Sequence, residues 1–250
     1  MPATGFSVQT DCINNSRITS RHGQIFTKKS VPFLYICHRI FNHRKGINMA
    51  SLLYQGHSSF RLISDSGLVF YIDPYAGGGY DIAADVILVT HQHFDHNRID
   101  LVTRKDDCTI ITNAEALVDG EYNEFEIGDV YVEAVPAYNK NHDRNECVGY
   151  MIQVDGRTLY FTGDTGITEE MSEYPERKIG IIFVPMDGVY TMDTETAKQC
   201  TEIVKAEYCI PVHTAPQYQK PDDQLFDLQV AESFMGEKKV IVKPGENIVL

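Results

Sequence analysis

Six consecutive residues carry most of the chemistry this sequence offers. His91, Gln92, His93, Phe94, Asp95 and His96 follow directly on Val86-Ile87-Leu88-Val89-Thr90. A β-branched, aliphatic run bounded by polar residues predicts a strand buried on both faces. Three imidazoles and a carboxylate are thereby delivered where the backbone leaves the sheet, fixed yet exposed. His91 and His93, two apart on extended backbone, point the same way and can hold one cation. Asp95 and His96 turn off the strand and can serve a second. A loop that merely solvates a strand end does not need this HxHxDH spacing.

Other strand ends supply matching groups. Beyond Met49 the histidines are His57, His91, His93, His96, His142 and His213, each at a predicted strand end or in the loop after it. Asp164, in Phe161–Gly166, joins them. The pattern is a two-cation cluster, with His91, His93 and His142 as one set and Asp95, His96 and His213 as the other. Asp164 would bridge them. Nitrogen and carboxylate donors without thiolate suit zinc, and also manganese or iron.

These residues need a sheet framework to bring them together. Alternating or apolar runs predict strands at Leu52–Tyr54, Ser59–Ile63, Leu68–Ile72, Thr109–Ile111, Glu121–Phe125, Val130–Pro136, Val148–Val154 and Thr158–Phe161. Further strands are expected at Gly180–Val184, Cys209–Val212 and Val240–Val242. Asp155-Gly156 reads as a hairpin turn, and Asp73-Pro74 ends its strand. Arg98–Arg104 and Ala114–Val118 read as short helical turns. Longer amphipathic helices are expected at Thr194–Ala206, capped by Thr194, and at Asp222–Met235, with Leu225, Leu228, Val230, Ala231 and Phe234 as core. Strands dominate the first two thirds and strand–helix alternation the last. Two mixed sheets packed face to face, with helices outside, accommodate both halves.

Charge divides the chain of 250 residues unevenly. Residues 1–48 hold seven Lys/Arg against Asp11 alone, leaving 15 of the 22 basic groups and 34 of the 35 acidic ones beyond, a net of −19. A body that acidic repels phosphate backbones, which argues against nucleic acid as a general substrate. The first 48 residues have the composition of a transit peptide. A simpler expectation is an upstream start, with 49–250 as the one folded domain. No stretch approaches the ~20 apolar residues of a membrane span, while 43% apolar residues suffice for a core. Six cysteines without a CxxC pair suggest reduced thiols in a cytoplasmic protein; Cys147, near His142, reads as a small buried apolar residue.

The segments GHSSF (56–60), IDPY (72–75), THQHFDHN (90–97), AVPAYNKNH (134–142), VGYMIQVDGRTLYFTGDT (148–165), VYTMDTETA (189–197) and IPVHTAP (210–216) resemble the metallo-β-lactamase superfamily. More narrowly they resemble its small stand-alone metal-dependent hydrolases of the ascorbate-6-phosphate lactonase-like kind. The resemblance covers residues 52–250 and implies a four-layer αββα sandwich of mixed sheets (an α/β, or α+β, metallo-β-lactamase fold). It implies the ligand roles above, self-association into a homo-oligomer, and a place near the site for His57. Asp73 would then accept a hydrogen bond from a ligand imidazole, and Tyr190 and Thr191 would line the substrate groove. The expected activity is hydrolysis of an ester, lactone or phosphoester in a small-molecule substrate by a metal-bridging hydroxide, with pKa near ~7. Asp95 would orient it, and His57 or Tyr190 would donate to the developing charge. A phosphodiesterase or nuclease, and a non-catalytic metal-binding protein, are the alternatives.

Overall fold

The computed structural model describes residues 49–75, 77–216 and 225–250. The basic 1–48 segment and the first three residues of the helix expected at 222–235 lie outside the described residues. β1 (Ser51–Gly56), β2 (Ser59–Ile63) and β3 (Val69–Ile72) form an antiparallel meander, to which β4 (Ala84–Leu88) and β5 (Arg104–Ile111) add in parallel. A short helix, α1 (Asn113–Ala116), leads into a small hairpin of β6 (Leu117–Val118) and β7 (Glu121–Tyr122). The second meander is β8 (Glu124–Ile127), β9 (Val130–Pro136), β10 (Val148–Val154) and β11 (Arg157–Phe161). Parallel to β11 run β12 (Ile181–Pro185) and β13 (Tyr208–Val212), with α2 (Thr194–Val204) between them in the chain. Last come α3 (Leu228–Ser233) and β14 (Asn247–Val249), the latter antiparallel on β1.

Two mixed six-stranded sheets result, ordered β14-β1-β2-β3-β4-β5 and β13-β12-β11-β10-β9-β8. Their inner faces make the main core, where Leu52, Tyr54, Phe60, Leu62 and Phe70 meet Val132, Tyr150, Leu159, Phe161 and Phe183. The outer face of the second sheet is covered by α2 and the 3-10 helix Glu169–Arg177, through Met171, Tyr174, Ala197, Cys200 and Val204. Over the first sheet the outer layer is thinner: Ile82, Ile99 and Val102 cover Val69, Tyr71, Ile87 and Val89. As the unbroken apolar run requires, Val86, Ile87 and Leu88 of β4 are all buried.

This topology is what gathers the site. Parallel neighbours all end on one edge of a sheet, the position where ligands collect in α/β folds. Each sheet has one such parallel triple, β3-β4-β5 and β11-β12-β13, and hydrogen bonds tie the two sheets near that edge. Val148 N donates to Thr90 O at 3.0 Å, and Tyr150 Oη donates to Val89 O at 3.1 Å.

Several local expectations shift. The helix expected to reach Val118 ends at Ala116, because Asp119 and Gly120, at φ 53° and 85°, close the β6–β7 hairpin. The strand expected over Glu121–Phe125 divides at Asn123, whose N–H donates to Ala116 O. Asp193, not Thr194, caps α2, its Oδ1 accepting from Thr196 N at 2.8 Å. Within 225–235 only Leu228–Ser233 is helical, started by Asp227, whose side chain accepts from Gln229 N and Val230 N. Of the expected core there, Ala231 and Phe234 are buried but Leu228 is 37% exposed. Val240 and Val242 are buried outside any ladder, and the last strand is instead β14. Gly245, at φ 88°, turns the chain so that its N–H reaches Tyr54 O and the following residues pair with the free edge of β1.

Candidate metal centre

All seven expected ligands converge at this edge. His91, His93 and His142 form one group and His57, Asp95, His96 and His213 another, with the donor atoms in each within 4.8 Å of one another. His91, His96 and Asp164 form a third, linking group. Asp164 reaches into both sets. Its Oδ1 is 3.4 Å from His96 Nε2, and its Oδ2 is 3.4 Å from His142 Nε2 and 3.3 Å from His213 Nε2. Gly163 makes that placement feasible: at φ 65° it sits where an added Cβ would come within 2.6 Å of Val148 O.

The outer nitrogens of His91, His96 and His142 are hydrogen-bonded, and that of His213 has a carboxylate at ion-pair distance. Asp73 Oδ2 accepts from His96 Nδ1 at 2.9 Å, and its two oxygens also accept from Thr90 N and Thr90 Oγ1, each at 2.8 Å. Thr90 Oγ1 in turn lies 3.0 Å from His91 Nδ1. Asn139 Oδ1 lies 3.1 Å from His142 Nδ1 and accepts from His142 N, which fixes the register of that polar loop. Asp187 Oδ2 is 3.3 Å from His213 Nδ1. Such partners orient a ligand ring and select the tautomer whose other nitrogen faces the cation.

Asn139 and Asp187 were not among the residues expected at the site. An Asn in a polar loop and an Asp after a strand read as turn formers, and Asp187 is one: its Oδ1 accepts from the amides of Val189, Tyr190 and Thr191, each at 2.9 Å. Asn139 and Asn141 side chains donate to Tyr190 O at 3.1 Å and 3.0 Å. This places the 187–191 loop between the partners of His142 and of His213. Tyr190 is 39% exposed there, beside Val189, and Phe94, between two ligand residues, is 58% exposed.

Backbone strain marks the same residues. His57, Asp73 and His213 have φ of 56°, 45° and 44°, a region costing a non-glycine residue on the order of 1–3 kcal/mol and concentrated at functional sites. The surroundings enforce it: His213 N donates to His57 O at 2.9 Å, and Asp73 N donates to Leu88 O at 2.9 Å.

Electrostatics separate the imidazoles. Burial, and then the neighbouring His96, hold His91 well below the usual imidazole range, and burial lowers His142. Burial, aided by His213, pushes His57 down to about 4. For His96 and His213 burial is outweighed, chiefly by Asp164, and both are raised. The carboxylates mirror them. Burial opposes ionisation of Asp164 but His213 and His96 hold it well below its usual range, and His96 and the His57 hydrogen bond do the same for Asp95.

The donor atoms fit a metal on an independent criterion. Nε2 of His91, His96 and His213 and Oδ1 of Asp164 are buried without a hydrogen-bond partner in the chain. An unsatisfied buried polar atom costs about 1–3 kcal/mol, so four at one point are unfavourable unless a cation coordinates them. His91, His93 and His142, and Asp95, His96 and His213 with Asp164, are the residues that would hold it.

A two-sheet sandwich with imidazoles and carboxylates converging on one strand edge defines a metallo-hydrolase class. The chain belongs to the metallo-β-lactamase superfamily: the profile of the Beta-lactamase superfamily domain matches residues 51–213. It is 30% identical over 232 residues to a UPF0173 metal-dependent hydrolase of Carboxydothermus hydrogenoformans, covering 80% of this chain and 99% of that one. A UPF0173 metal-dependent hydrolase of Pyrococcus furiosus is 26% identical, with 81% and 100% covered. Among solved structures, a Parabacteroides distasonis protein described as a metal-dependent hydrolase superposes with TM-score 0.61 at 28% identity, over 77% of this chain and 92% of that one. The metallo hydrolase Igni18 of Ignicoccus hospitalis shares the fold, with TM-score 0.60 at 23% identity over 81% and 99%. The protein is a metal-dependent hydrolase of this superfamily.

Proposed function

We propose that this chain uses two divalent cations to hydrolyse an ester, lactone or phosphoester bond in a small molecule. The observation that supports this reading above others is Asp164, whose Oδ2 lies 3.4 Å from His142 Nε2 of one ligand set and 3.3 Å from His213 Nε2 of the other. One carboxylate within reach of both sets is what a bridged pair of cations needs. The donor set suits zinc, and manganese or iron are compatible with it. When bound, such a pair supplies an activated water near neutral pH and polarises the oxygen that gains negative charge.

The chain's own groups do the rest. Asp73, Thr90, Asn139 and Asp187 hold the imidazoles in place. Asp95, held as a carboxylate, orients the attacking water and accepts its proton. Phe94, Val189 and Tyr190 receive the organic part of the substrate, with Tyr190 as a hydroxyl donor to developing charge. The net charge of −19 beyond residue 48 disfavours nucleic acid and anionic membrane surfaces as partners. No helix among the described residues is long and apolar enough to cross a membrane. Free Cys108, Cys147, Cys200 and Cys209 agree with a cytoplasmic setting.

Metal analysis of the purified full chain, followed by a panel of esters, lactones and phosphodiesters with and without chelator, tests the proposal. We expect two cations per chain and chelator-sensitive turnover of one small-molecule bond type. Turnover confined to nucleic acid would replace it with a nuclease. Tightly held metal with no turnover across the panel would replace it with a non-catalytic metal-binding protein.

A further inference from the structure

His57 touches Asp95 but belongs to neither expected ligand set, and its surroundings define what it can do. The ring is fully buried. It packs on His213 with centroids 3.6 Å apart and lies 5.6 Å from His96. Its Nε2 is 3.1 Å from Asp95 Oδ2, the oxygen that also stands 3.8 Å from His213 Nε2. An ionised carboxylate only accepts hydrogen bonds, so Nε2 carries the proton in this contact. Nδ1, without a proton, is buried and has no hydrogen-bond partner.

The backbone around His57 is held as firmly as its ring. Its N–H donates to Leu225 O at 2.7 Å, and its carbonyl accepts from His213 N and from Tyr54 Oη, each at 2.9 Å. The preceding Gly56 has φ 119°, and an added Cβ there would meet Leu225 Cβ at 2.8 Å. The tight β1–β2 turn of the first sheet is thereby locked onto the end of β13 in the second. A ring so enclosed is screened from substrate, yet it holds Asp95, a carboxylate of the second ligand set.

We propose that His57 is the positioning residue of the second cation site, donating Nε2–H to Asp95 Oδ2 and holding that carboxylate against His96 and His213. It acts through Asp95 and does not itself coordinate metal or touch substrate. This rests on the two-cation reading above and adds to it the residue that shapes one of the two sites.

Two variants separate donor from ligand. His57→Gln keeps an N–H donor at a similar reach, and His57→Phe keeps an aromatic ring against His213 but has no donor. Cobalt(II) is titrated into the metal-stripped full chain, wild type and variants, and followed by calorimetry and by its visible absorption. Uptake at His91, His93 and His142 serves as the internal control for folding. We expect His57→Phe to bind the first cation normally and the second about 10–100-fold more weakly, the usual effect of losing such an outer partner. His57→Gln should recover most of that loss. Equal weakening in both variants overturns the assignment in favour of direct coordination by His57. Two cations bound equally by wild type and both variants also overturn it, while leaving the two-cation reading intact. A wild type that takes up a single cation overturns that reading, and this assignment with it.

Discussion

Asp73 Oδ2 lies 2.9 Å from His96 Nδ1, and the same oxygen accepts from Thr90 Oγ1, which itself faces His91 Nδ1. One carboxylate at the end of β3 therefore governs an imidazole in each ligand set, directly for His96 and through a hydroxyl for His91. Its own left-handed backbone, φ 45°, is held by the bond from Asp73 N to Leu88 O. The strain at Asp73 is the geometric cost of aiming one side chain at two ligands.

Replacing Asp73 by Asn should preserve the fold and the contact with Thr90 N while removing the charge that orients His96. We expect metal affinity to fall about 10–100-fold. Competition with a chromophoric chelator measures this, and an unchanged affinity would remove Asp73 from the site's function.

Metal uptake should depend on pH through His96 and His213, both raised in the metal-free fold chiefly by Asp164. Their ion pairs stabilise the metal-free protein fully below the ordinary imidazole value of ~6.5 and lose that contribution as pH rises through the raised values. Cations need unprotonated nitrogens, so uptake strengthens with pH and releases protons. Asp164 and Asp95 are lowered, and their contribution is lost only in acid, as pH falls through those lowered values. The difference in Tm between loaded and metal-free protein should widen from about pH 6 to about pH 8. A difference independent of pH in melting curves would contradict this.

Asp95→Asn keeps the size of the side chain and loses a negative charge. The variant should fold, with kcat reduced by about 10²–10⁴-fold, the range for loss of a proton-transferring group. Steady-state kinetics on whichever substrate the panel identifies, beside a melting curve, checks it. Full activity would exclude Asp95 from proton handling.

Phe60 tests the framework. It is buried between the sheets, its ring 4.6 Å from Phe183, 4.9 Å from Tyr54 and 5.3 Å from Phe161. Phe60→Ala should cost about 3–5 kcal/mol by leaving a cavity, lowering Tm on the order of 10 °C. Differential scanning calorimetry reads this directly, and a shift of only a degree or two would mean that the inner faces collapse around the gap.

Much of the fold could be read along the chain. The residues expected at β2, β9 and β10 are those observed, because an alternating or continuous apolar run depends only on neighbours along one strand. The Asp155-Gly156 hairpin is equally local, both residues having positive φ. Expectations failed where a distant partner decides. Val240–Val242 has the composition of a strand but meets the edge strand β13 only at the Lys239–Cys209 bridge, with Val240 N donating to Cys209 O, whereas Asn247–Val249 pairs along β1. The helix over 225–235 is shortened where Leu225 O is drawn to His57 N and Asp227 N to Thr214 Oγ1.

The site divides along the same line. HxHxDH after an apolar strand is a local signal, and the order of residues alone determined which imidazoles could serve as ligands, since a strand's C-terminal end delivers successive side chains together. Asp73 and His57 could be expected beside the site, but tertiary structure alone decided which group meets which: Asp187 for His213 across 26 residues, and His57 for Asp95 across 38. A carboxylate in a turn looks the same whether or not an imidazole stands opposite. Only the packing of one sheet on the other, which sets the spacing of the two strand edges, brings that imidazole within reach.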